Sequence, residues 1–67
     1  MLTNQEKIDI INNKLLILNA EIKIIEKEIV FYENEELSEK IEVSLNRLSD
    51  IPLKIQVLEQ EKTNLTQ

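Results

Sequence analysis

Between Ile8 and Tyr32, apolar residues recur at alternating steps of three and four: Ile8, Ile11, Leu15, Leu18, Ile22, Ile25, Ile29 and Tyr32. Every a and d position of the heptad is therefore apolar, which is the pattern of a helix seated against another helix. A second line runs through the same segment at steps of seven, through Ile10, Ile17, Ile24 and Phe31. At about 100° per residue it lies roughly 130° around the helix from the first line. Leu16, Ala20 and Val30 extend it on the far side. One neighbouring helix covers only one of these two faces. The rest of the chain is expected to supply the first cover, and a partner the second.

A chain of 67 residues is a single small domain, here residues 1–67, and buries little of its surface on its own. The usual reinforcements are missing. There is no Cys to form a disulfide, and without Cys or His a structural metal has only carboxylates to bind. Association with other chains is the remaining route. Gly is absent and Pro52 is the only proline, whereas a sheet-rich fold would want turn residues every few positions, so an all-α chain is expected. The same inventory provides no His for a nucleophilic triad and no Gly-rich loop for phosphate. We therefore expect no enzyme, no catalytic, cofactor-binding or metal-binding residues, no cofactor and no small-molecule substrate. A net charge of −5 disfavours nucleic acid. The longest apolar run, Leu15 to Leu18, is too short for a membrane span, and Met1 to Gln5 does not read as a signal peptide. The sequence thus predicts a soluble protein that engages no membrane.

Thr3 and Glu6 have the spacing of a capping box, so a first helix is expected over about residues 4–32. The second apolar series is Leu37, Ile41, Ser44, Leu48, Ile51, Ile55, Leu58, Lys62 and Leu65. It is five residues out of step with the first, whereas continuous coiled coils absorb insertions of three or four. A turn at about residues 33–34, with Asn34 capping a second helix, resolves the mismatch. The predicted fold is therefore an antiparallel helical hairpin, a two-stranded coiled coil that assembles further into a larger helical bundle. Pro52 lacks an amide to donate to Leu48 and disfavours helix at Ile51, so the second arm is expected to kink or break there. It would then run as helices over about 35–49 and 52–66. For the pairing of the arms, the reading sets Ile8 opposite Leu58, Ile11 opposite Ile55, Leu15 opposite Ile51 and Leu18 opposite Leu48. Ile22, Ile25 and Ile29 then meet Ser44, Ile41 and Leu37. A shift by one heptad would place Lys62 against Ile11, and the cost of charge in an apolar layer argues against it.

The expected intrachain core is thus the first stripe from Ile8 to Ile29 together with Leu37, Ile41, Leu48, Ile51, Ile55 and Leu58. Ser44 in the core stripe either sets register and gives room to a larger neighbour or, as expected here, bonds back to a carbonyl one turn earlier. The expected partner interface is Ile10, Leu16, Ile17, Ile24, Val30 and Phe31. Val43, Leu45, Leu53 and Val57 are scattered apolar positions off the second stripe. An exposed patch of that extent exceeds the few hundred Å² usual on soluble monomers and reads as a protein–protein interface. Phe31 and Tyr32, side by side at the tip, either anchor a partner or fill the end of the core. Glu33, Glu35, Glu36, Glu39 and Glu42 read as a solvated helix start, where acidic residues suit the helix dipole.

The opening Leu2 to Ile10 resembles the start of small helical-hairpin proteins of marine tailed phages, and the run Leu58 to Lys62 resembles the end of their second arm. That resemblance implies a phage origin. In size and in Gln5-Glu6-Lys7 the chain also looks like the plasmid RNA-binding hairpin that dimerises into a four-helix bundle. The basic and aromatic residues with which that family faces RNA are not reproduced. Taken together, the expectation is a structural, protein-interaction module that forms homo-oligomers or binds another virion protein. It would be a virion or assembly component, located in the virion or host cytoplasm. The alternative is a small chaperone or inhibitor that grips an amphipathic helix of another viral or host protein.

Overall fold

In the computed structural model, which describes residues 1–67, two helices fold back on one another. Helix α1 spans Asn4–Asn34 and α2 spans Ser38–Thr66. The hairpin is a rod of 49 × 16 × 15 Å. The all-α hairpin expected from the phase break between the two stripes is the fold observed.

The start of α1 is set by the capping box. Thr3 Oγ1 accepts from the Glu6 amide at 3.1 Å, and the Thr3 amide donates to Glu6 Oε1 at 3.1 Å. The Thr3 amide first, and then its hydroxyl, hold the Glu6 carboxyl below its ordinary value of about 4.5. These bonds satisfy amides that the first turn would otherwise leave without partners.

The turn departs from expectation. Helix α1 continues through Asn34, so Asn34 is the last residue of the first helix and does not cap the second. The chain reverses over Glu35, Glu36 and Leu37. The Glu36 amide donates to the Glu33 carbonyl at 3.2 Å, and the Leu37 amide donates to the Tyr32 carbonyl at 2.9 Å. This pair of bonds is a Schellman motif. It requires a left-handed residue, and with no Gly in the chain Glu36 takes that conformation at φ 57°. Leu37 precedes α2 as its N-cap and provides no side-chain cap. It is 37 % exposed, so Leu37 belongs to the turn and not to the intrachain core.

The arms pair one heptad away from the expected alignment. Lys40 Nζ lies 5.7 Å from the Tyr32 ring centroid, and Arg47 reaches Glu28 at 3.7 Å. Farther along, Lys14 and Leu18 share a groove with Lys54 and Leu58, and Lys7 and Ile11 share one with Glu61 and Leu65. These contacts set Ile25 level with Leu48, Ile22 with Ile51, Leu18 with Ile55 and Ile11 with Lys62. The geometry of the turn decides the matter. A three-residue reversal that follows Asn34 leaves no room for Ile29 to meet Leu37. The cost assigned to Lys62 is also avoided. Lys62 is only half-buried near the open end, and a long lysine stem can lie along an apolar seam with its charge toward water.

Helix α2 runs without interruption through Pro52, so the expected division of the arm into two pieces does not occur. Ser49 donates its hydroxyl back to the Asn46 carbonyl at 2.8 Å. Pro52 removes one ladder bond, yet Leu48, Ile51, Ile55 and Leu58 stay in phase across it. Ile51, the residue that proline pushes away from helix, is 2 % exposed, and its packing holds it in place.

Two predictions follow from the ends of α1. Glu36→Gly removes the left-handed penalty and is expected to stabilise the hairpin by about 1 kcal/mol, raising Tm by roughly 4–8 °C. Glu36→Val, β-branched at positive φ, is expected to lower it. The depressed Glu6 carboxyl gives a contribution that is present above its ordinary value and lost as pH falls through the lowered folded value. The Tm gap between the native chain and Glu6→Ala is therefore expected to be constant near neutrality and to narrow once the pH drops below about 4.5. Thermal unfolding of both chains across that range checks this.

Candidate interaction surface

Two helices side by side cover one stripe from each and leave most other positions exposed. Only Ile11, Ile25, Ser44 and Ile51 are buried, with Ile25 fully enclosed at 0 % exposure. Ile8, Leu15, Leu18, Ile22 and Ile29 of α1 are half-buried along the same seam. So are Ile41, Leu48, Ile55 and Leu58 of α2. Ser44, level with Ile29, occupies a core position where a small side chain lets the arms approach. It makes no back-bond, while Ser49, Thr63 and Thr66 do.

The outer side of α1 is the apolar surface. Ile10, Leu16, Ile17, Ile24, Val30 and Phe31 are all exposed, with Leu16 at 69 % and Ile17 at 62 %. The helical period turns their line away from the seam, and Ile17 alone among them borders α2, across a shallow groove. At the tip the two aromatics divide. Tyr32 is half-buried beneath Lys40, while Phe31 stays exposed and meets the Tyr32 ring edge-on at 5.7 Å between centroids.

A groove of about 520 Å³ runs beside this surface, lined by Lys14, Ile17, Leu18, Leu53, Lys54, Val57 and Leu58. Leu18 and Leu58 come from the seam, and Ile17, Leu53 and Val57 are exposed apolar residues flanking it. Sequence reasoning noted Leu53 and Val57 only as scattered positions. The one-heptad shift in pairing sets Val57 level with Ile17, so both arms contribute to one apolar strip. The signal that could have placed them is charge. With the observed alignment Glu28, Glu21 and Lys14 fall level with Arg47, Lys54 and Glu61 along this side, each pair opposite in sign. Only Arg47 to Glu28 closes, at 3.7 Å, and such exposed pairs contribute about 0–1 kcal/mol.

The acidic residues of the tip remain spread over exposed positions, and no group of three or more converges as metal ligands would. No helix is long and apolar enough to cross a membrane. Comparison with protein families, with curated proteins and with solved structures returns no match.

Proposed function

We propose that the chain is a structural, protein-interaction module whose hairpins associate through the outer side of α1 into a helical bundle. The observation that carries this reading is the row of exposed large apolar residues, Ile10, Ile17, Ile24 and Phe31, in strict sevens on a chain with four buried residues. A core that small offsets little of the entropy of ordering 67 residues, so further burial by association stabilises the fold. The natural partner is a second copy or another protein of the same assembly. The resemblance of residues 2–10 to phage hairpin proteins supports a virion or assembly component, present in the particle or the host cytoplasm. It performs no catalysis and takes no nucleic acid or small-molecule substrate.

The groove beside Ile17 supports a second reading, in which an amphipathic helix of another protein lies between the arms and the chain acts as its chaperone or inhibitor. The two readings separate on the lone protein. Self-association gives a helical species whose mass is a multiple of 7.9 kDa at micromolar concentration, and Ile17→Asp is expected to reduce it to the single chain. Ile25→Ala acts differently: it empties the intrachain core, costs about 2–5 kcal/mol and lowers helicity itself. A well-folded monomer that Ile17→Asp leaves unchanged would sink the assembly reading. A poorly helical lone chain that becomes ordered on co-expression with a target would support the second.

A further inference from the structure

Resting on the self-association reading, we infer that two copies pack with their first helices back to back and antiparallel, about a two-fold axis passing between Ile17 and Ala20. The argument comes from charge beside the exposed apolar line. On the side next to the groove, α1 carries Lys7 and Lys14 in its first half and Glu21 and Glu28 in its second. An antiparallel match brings Lys7 level with Glu28 of the second copy, which also holds Arg47 of its own chain at 3.7 Å, and Lys14 level with Glu21 of the second copy. The two-fold axis generates each pair twice. Antiparallel coiled coils align flanking positions of one type with each other, so these residues are the ones that meet.

Two further observations favour the same alignment. The axis lies near the midpoint of Asn4–Asn34, so the two helices overlap over almost their whole length. At that midpoint Ile17 meets exposed Ala20 of the second copy, and the small residue lets the backbones approach. A parallel match also offers opposite charges, Asp9 to Lys14 and Lys23 to Glu28. It nevertheless stacks Lys27 on Lys27 within the seam and sets the helix dipoles side by side in the same direction. In the antiparallel match Lys27 lies level with Ile10 of the second copy, where its stem covers the Ile and its ammonium reaches water. The charges thus specify orientation, and the aliphatic line supplies the burial.

The absence of Cys makes the geometry directly readable. Single-cysteine variants of the full chain, mildly oxidised and run on a non-reducing gel, report which positions meet. Ala20→Cys is expected to form a disulfide-linked dimer. Ile10→Cys alone is not, because its two copies lie about 25 Å apart along the axis at 1.5 Å per residue, far beyond disulfide reach. Ile10→Cys mixed with Lys27→Cys is expected to cross-link as a heterodimer. Self-cross-linking of Ile10→Cys would overturn the antiparallel arrangement, as would failure of Ala20→Cys in a sample that sediments as an oligomer when reduced. Both of those outcomes leave self-association standing. A monomeric mass in the reduced samples removes both readings together.

Discussion

A single helix-on-helix seam organises this molecule, and its limited width accounts for most of what is seen. Apolar side chains at a and d positions of α1 interlock with the matching stripe of α2, and among the apolar residues burial is complete or nearly so only at Ile11, Ile25 and Ile51. Two helices cannot enclose more than that. Residues at other heptad positions face water whatever their polarity, and on α1 many of them are isoleucine, leucine, valine or phenylalanine. The exposed apolar surface is therefore a direct consequence of placing a two-faced helix in a two-helix fold.

The turn then governs how the seam is aligned. Because α1 ends in a Schellman motif at Glu36 and Leu37, the reversal is short and the position of every cross-arm layer follows from it. That alignment brings Lys62 into the seam opposite Ile11 and sets Ser44 near Ile29. The long lysine stem tolerates the first, and the small serine side chain suits the second. It also brings Val57 beside Ile17, which turns isolated surface residues into a continuous groove.

Much of this was legible in the sequence. The heptad stripes, the phase break that forbids a continuous rod and the Thr3 capping box rest on periodicity and local hydrogen bonding, and all are present in the structure. The turn was less legible because its signal is usually Gly or Asn. Here Glu36 occupies the left-handed position, so the reversal fell three residues later than Asn34 suggested. The later reversal moves the pairing of the arms by one heptad and leaves Leu37 in the turn, outside the core. Lys62 is half-buried in the observed alignment, so its charge does not exclude that alignment as a fully buried one would. Pro52 was read from local preference alone, and the packing of Ile51 outweighs that preference. The outer row of α1 was readable because its spacing matches the helix. The contribution of Leu53 and Val57 depends on which residues lie level across the arms, which no single helix reveals.

In the proposed assembly α1 has one apolar face covered within the chain and the other covered by a second chain. Thermal unfolding of the native protein, followed by circular dichroism over a hundredfold range of concentration, tests it most directly. If folding is coupled to association, the midpoint rises with concentration by mass action. A midpoint that stays fixed across the range, in a fully helical sample, would mean that the hairpin is stable alone and that its outer face needs no cover.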